Sequence, residues 1–219
     1  MNPKPVDPYA ISKVAAANVL INLCDLTTIE WVIAVPHNII GPRQRYDDPF
    51  RNVVSIMINR MLQKKAPIIY VNGEQKRCFS FIQDDIDILT KLVFSKKTNK
   101  QVINIGPDEE FVSIIELANL IGNLLAFNVN PIYKKGRPQE VFLANCSANK
   151  ARKLFNYKTK YKLKDSIEYM SNWISKRGTK KFKYHLNLDI KSNKLTETWN
   201  EKLLKKQKDF YCSYGIQVC

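Results

Sequence analysis

Glycine is scarce in this sequence. The seven present, Gly41, Gly73, Gly106, Gly122, Gly136, Gly178 and Gly215, never cluster closely enough to form a GxxGxxG loop. Wrapping backbone N–H groups around a dinucleotide phosphate needs such clustered glycines, so that cradle cannot be built from these residues. Histidine is scarcer, with only His37 and His185. The five cysteines, Cys24, Cys78, Cys146, Cys212 and Cys219, form no CxxC and no Cys/His pair at ligand spacing. These spacings argue against structural zinc, no metal site is expected, and reduced thiols in a cytoplasmic setting are the reading. No apolar run approaches the roughly 18 residues of a membrane span. Met1-Asn2-Pro3-Lys4-Pro5 contains no signal-peptide core, and a soluble protein without a membrane segment is expected.

What is present is a globular composition. Hydrophobic residues make up 45% of the 219 and charged residues 25%, which excludes wholesale disorder and allows a core without staples. The net charge is +15, with residues 176–219 carrying eleven Lys/Arg against four Asp/Glu. Basicity of this size raises nucleic acid as a partner. Lysine dominates over arginine, however, and no arginine-rich helix or RNA-binding signature accompanies the charge. Nucleic acid is therefore not the expected partner.

Hydrophobic spacing predicts a helix over Tyr9–Leu26, with Ile11, Val14, Ala15, Val19, Leu20 and Leu23 at helical intervals. Trp31–Val35 reads as a buried strand stopped by Pro36, and Pro36–Phe50 as a long loop. Asn52–Lys64 is an expected amphipathic helix capped by Asn52 or Ser55. It is followed by strands at Ile68–Val71 and Cys78–Ile82 and a helix over Asp84–Ser95. A strand at Val102–Ile105 and a helix from Ser113 to Ala126 come next, with Glu116 at the capping-box position. Helices are expected at Ser147–Phe155, Lys164–Lys176 and Thr196–Phe210. Alternating strands and helices define an α/β chain.

Tyr9 and Lys13 are four residues apart, so both project from one helix face. An ammonium beside a phenol favours the phenolate, and such a pair can serve as an acid/base device and hold a cofactor ribose. By spacing alone the pair equally suits a plain helix surface. The ordered blocks that follow are more specific. They are Asn38-Ile39-Ile40-Gly41-Pro42-Arg43, Tyr70-Val71-Asn72-Gly73 through Arg77-Cys78-Phe79, Ile82-Gln83-Asp84, Asn104-Ile105-Gly106 and Gly136-Arg137-Pro138. In this order, from about Asp7 to Lys176, the chain resembles the extended short-chain dehydrogenase/reductases. Within these it is similar to the NAD-dependent nucleotide-sugar epimerases and dehydratases of UDP-glucose 4-epimerase type.

The resemblance implies that Tyr9 is the catalytic base and that Lys13 tunes it, both contacting the cofactor, NAD. Pro36 and His37 would border the nicotinamide. On the substrate side, Asn38 would contact the sugar diphosphate and Asn52 would open a helix whose free N–H groups suit an anion. Tyr70 would pack the nucleotide base, and Arg77 and Arg137 would grip the diphosphate with forked donors. Each has a plainer reading: Asn38 as a turn residue, Tyr70 as a strand aromatic, the arginines as solvated charges. Asp84 reads as a helix-start acid.

The departures are as informative. The family's glycine-rich loop is missing, as are the strand and serine or threonine that precede the tyrosine helix. Val71 stands where glycine is usual, Cys78 where aspartate is common, and Asn145 where many members carry an acid. The resemblance therefore implies the C-terminal portion of such an enzyme. The expected fold is an incomplete Rossmann-type parallel sheet followed by a small mixed α/β substrate domain. Residues 1–42 would end the NAD-binding domain and 43–176 would form mainly the sugar-nucleotide domain. Within the latter, 79–105 would return to the first domain, and 177–219 would be a basic extension. The implied activity is C4 inversion of a UDP-hexose through a 4-keto intermediate. The alternatives are a dehydratase, a non-catalytic remnant, or one half of a split enzyme. Expected partners are a UDP-sugar and either a complementary N-terminal fragment or a second copy.

Overall fold

Short polar side chains set the starts of three helices, α1, α2 and α4. Asp7 accepts a hydrogen bond from the Ala10 N–H at 2.7 Å and, with Pro8 behind it, opens helix α1 (Pro8–Asp25). Asn52, not Ser55, caps α2 (Val53–Leu62), accepting from the Val54 N–H at 3.0 Å. The computed structural model describes residues 3–185 and 195–204. Its strands are β1 (Val32–Pro36), β2 (Ile39–Ile40), β3 (Ile68–Tyr70), β4 (Lys76–Arg77), β5 (Ser80–Phe81), β6 (Gln101–Ile105), β7 (Val112–Ser113), β8 (Ile132–Lys134) and β9 (Leu143–Ala144). The later helices are α3 (Ile82–Phe94), α4 (Ile114–Leu124), α5 (Asn149–Phe155), α6 (Leu163–Arg177) and α7 (Glu197–Asn200).

The α/β class is as expected, and so is the Ser113/Glu116 capping box. The Ser113 N–H donates to Glu116 Oε2 at 2.7 Å, and the Glu116 N–H donates to Ser113 Oγ at 3.2 Å. Three local expectations need correction. The Pro36–Phe50 loop is interrupted by β2, which pairs in parallel with β5. The strand expected over Cys78–Ile82 shrinks to β5, because Ile82 already begins α3 and places Asp84 and Asp85 in its first turn. Strands β7, β8 and β9 are two or three residues long, too short for alternation to announce them. Of the helix expected over Thr196–Phe210, Glu197–Asn200 is helical, and everything beyond 204 lies outside the described residues.

The pieces assemble as small parallel pairs. β1 runs parallel to β6, in register from Val32↔Gln101 to Pro36↔Ile105. α3 and α5 pack here around Ile88, Leu92, Ile103, Ile105 and Ala151. β3 pairs in parallel with β8, while β4 lies between antiparallel β7 and parallel β9. The larger core joins α2, α4 and α6 through Met57, Ile58, Leu117, Ile121, Ile167, Met170 and Ile174, all essentially without solvent contact. The chain passes from the smaller core at β1 to the larger at β2 and α2, and returns to the smaller at α3.

Helix α1 is the exception to good burial. Its only buried residue is Cys24, while Ile11, Val19 and Leu23 are 54%, 58% and 61% exposed. The second edge of β1 likewise has no strand against it among the described residues. An apolar helix surface beside an open strand edge is a surface that wants a cover. No helix among the described residues is long and apolar enough to cross a membrane.

Candidate active site

The first turn of α1 presents Tyr9, 71% exposed, and Lys13 follows one turn later with its Nζ 5.3 Å from the Tyr9 ring centroid. The helix thus places the two on one face. Tyr9 lines a cavity of about 910 Å³ together with Asp7, Arg77, Arg137, Glu140, Thr196 and Trp199. A second cavity, about 270 Å³, is lined by Asn38, Phe50, Asn52, Tyr70, Phe79, Thr198 and again Arg77, Arg137, Thr196 and Trp199. The two arginines therefore stand on the boundary between a space that reaches Tyr9 and a space that reaches Tyr70.

Neither arginine behaves as a freely solvated charge. The Arg77 side chain is only 15% exposed, and its Nη1 donates to the Lys76 carbonyl at 2.8 Å and to Phe142 O at 3.1 Å. Desolvation holds its pKa below the ordinary arginine value, with the neighbouring Glu140 carboxylate pulling the other way. Glu140 Oε1 lies 3.6 Å from Arg77 Nη2 and also accepts from Arg137 Nη2. One internal carboxylate oxygen thus serves both forks, and an anionic ligand with several oxygens can replace it. The Arg137 guanidinium also lies 5.1 Å from the Tyr70 ring centroid, a cation–π distance.

Other expected residues are engaged within the protein. Asn38 adopts a positive φ of 42° and its Nδ2 donates to the Cys78 carbonyl at 2.8 Å, so it is a turn residue that also faces the smaller cavity. Tyr70 shares a 2.6 Å hydroxyl–hydroxyl hydrogen bond with Thr198. Pro36 and His37 border neither cavity. The His37 Nε2 is 3.0 Å from Ala144 O, and desolvation lowers its pKa, as expected of a structural imidazole. Sequence reasoning missed Glu140, although its spacing of three from Arg137 was a usable sign. It also missed Thr196, Thr198 and Trp199, which lie beyond the expected end of the substrate domain and carry no motif.

A dinucleotide fits these residues only at one end. Tyr9 and Lys13 suit a ribose hydroxyl. The nearby helix start, however, is closed to a phosphate, because the Asp7 carboxylate already takes the Ala10 N–H and puts a negative charge there. With no glycine cradle in the sequence either, the described residues do not form a site for the whole cofactor.

The NAD dependent epimerase/dehydratase family profile matches residues 1–106. A protein of Methanocaldococcus jannaschii named "Putative UDP-glucose 4-epimerase" is 31% identical over 172 residues, which is 78% of this chain and 54% of that protein. UDP-glucuronic acid decarboxylase 3 of Arabidopsis thaliana is 30% identical over 142 residues, 65% of this chain and 40% of that protein. Among solved structures, UDP-glucuronic acid 4-epimerase from Bacillus cereus, in complex with UDP-glucuronic acid and NAD, matches with a TM-score of 0.75. Its identity is 26%, over 81% of this chain and 55% of that one. The fold is thus that of the Rossmann-type epimerases. The chain is similar to the NAD dependent epimerase/dehydratase family and spans about half the length of the relatives it matches.

Proposed function

We propose that this chain is the substrate-holding part of a nucleotide-sugar epimerase acting at C4 of a UDP-hexose. The observation that carries the reading is the position of Arg77 and Arg137, which line both the Tyr9 cavity and the Tyr70 cavity. A diphosphate held there places the hexose toward Tyr9 and the nucleoside toward Tyr70. Binding exchanges Glu140 for phosphate oxygens on the two guanidinium forks, and Asn38 and the N-terminal end of α2 face the same space. Tyr9, beside the Lys13 ammonium, takes the proton of the C4 hydroxyl and later returns it. The hydride that leaves C4 with that proton, and later returns to the opposite face, would need NAD held outside these residues, in a glycine-loop half carried by a longer form of the chain or by a second polypeptide. That half would cover α1 and the open edge of β1.

A second reading, a UDP-sugar-binding remnant without turnover, is favoured by the exposure of Tyr9. Titration calorimetry with UDP tests what both readings share. Arg77→Ala removes a charged hydrogen-bonding partner worth about 1.5–3 kcal/mol, so affinity should fall about 10- to 150-fold. Unchanged affinity refutes the assignment of Arg77. Turnover separates the two readings. A complementary fragment bearing the glycine loop should restore epimerase activity, and Tyr9→Phe should abolish it in the reconstituted pair.

A further inference from the structure

The extension beyond Arg177 does not trail away from the body. Its first stretch is pinned to the larger core: Tyr46 Oη donates to the Gly178 carbonyl at 3.0 Å, and Asn59 Nδ2 donates to Lys180 O at 2.9 Å. Phe182 is 6% exposed. The segment 195–204, with the short helix α7, lines both cavities, sharing Thr196 and Trp199 between them. Four separate contacts fix it. Lys134 Nζ pairs with Glu197 at 2.7 Å, and Tyr184 Oη donates to Thr198 O at 2.8 Å. Trp199 Nε1 donates to the Pro49 carbonyl at 3.4 Å, and the Trp199 and Phe50 rings meet at 5.1 Å.

The side chains this segment turns toward the smaller cavity form a row of hydroxyls. Tyr70 Oη and Thr198 Oγ1 are 2.6 Å apart, and Thr198 Oγ1 and Thr196 Oγ1 are 3.3 Å apart. Each hydroxyl can rotate to donate or accept, so the row suits a ligand that alternates donors and acceptors, such as a ribose diol or a pyrimidine edge. Beside it lies Trp199, a flat apolar ring on the wall shared with the arginines.

We infer that the C-terminal extension completes the nucleoside end of the substrate site, with Thr198 and Trp199 as affinity-determining residues. The inference rests on the reading of Arg77 and Arg137 as the diphosphate grip. Given that grip, the Tyr9 side takes the sugar, and the opposite cavity, which Thr198 and Tyr70 line, takes the nucleoside. The basic extension thereby acquires a role that its charge did not suggest. Among the described residues, the side chains it brings to the site include Thr196, Thr198 and Trp199.

The test uses the full chain and titration calorimetry with UDP and, separately, inorganic pyrophosphate. Thr198→Val keeps the shape and deletes the hydroxyl, Thr198→Ser restores it, and Trp199→Ala removes the ring. The expected result is a loss of about tenfold in UDP affinity for Thr198→Val and Trp199→Ala. Pyrophosphate affinity should be unmoved and Thr198→Ser close to the unsubstituted chain. Equal loss for UDP and pyrophosphate overturns the inference, since the segment then only props the arginines. Unchanged UDP affinity in both deletions, with Arg77→Ala still weakening it, overturns the inference and leaves the diphosphate reading standing. No UDP binding to the unsubstituted chain overturns both.

Discussion

Asp85 provides a test of the fold that is independent of any ligand. It sits in the first turn of α3 with no solvent exposure. Its Oδ2 accepts from Ser80 Oγ at 2.7 Å, while its Oδ1 has no partner among the described residues. Desolvation is the main cause that pushes its pKa up to about 6 from 3.8. The adjacent Asp84 carboxylate adds to the rise and the Ser80 hydroxyl opposes it. An acid whose pKa is higher in the folded state is favoured there in its protonated form. Its contribution to stability is complete below the unfolded value near 3.8 and is lost as pH rises through about 6. A shift of this size corresponds to about 3 kcal/mol by pH 7. Asp85→Asn keeps an oxygen for Ser80 and never ionises. The variant should therefore be more stable than the natural chain at pH 7–8, by up to about 3 kcal/mol, with the advantage fading toward pH 4. Urea unfolding of both chains between those limits gives the difference directly, and other titrating groups cancel to first order. Because the pKa of Asp84 is also raised, the midpoint belongs to the pair of carboxylates. A difference that stays constant across the range refutes the assignment of a buried charge cost to Asp85.

Other expectations concern the cofactor, the uncovered surface and a helix cap. The isolated chain should bind NAD+ without useful affinity, since neither the sequence nor the Asp7-capped helix start offers a pyrophosphate cradle; micromolar binding by calorimetry contradicts this. Expressed alone, the chain should self-associate or be poorly soluble through Ile11, Val19 and Leu23 of α1 and the open edge of β1, and a monodisperse monomer in sedimentation contradicts that. Ser113→Ala removes the cap of α4 and should cost about 1 kcal/mol in chemical unfolding. Its effect should exceed that of an alanine substitution at an exposed serine such as Ser12.

By itself the sequence determined the elements whose signal is local. The 3.6-residue spacing, with the Ser113/Glu116 capping box, set α1, α2 and α4, and the short apolar runs set β1, β3 and β6; the structure added the Asp7 cap and chose Asn52 over Ser55. The ordered blocks around Tyr9, Asn38, Arg77 and Arg137 carried the family, because each is contiguous in the chain. What the sequence did not show depends on residues that meet only through folding. β2, β7, β8 and β9 exist because a partner strand satisfies their backbone, not because their own pattern requires it. Glu140 reaches Arg77 from a distant part of the chain, and the His37 imidazole meets the Ala144 carbonyl. The tertiary structure alone brought Thr198 to Tyr70, 128 residues apart, since a single hydrogen bond between hydroxyls leaves no periodicity and no motif in the sequence.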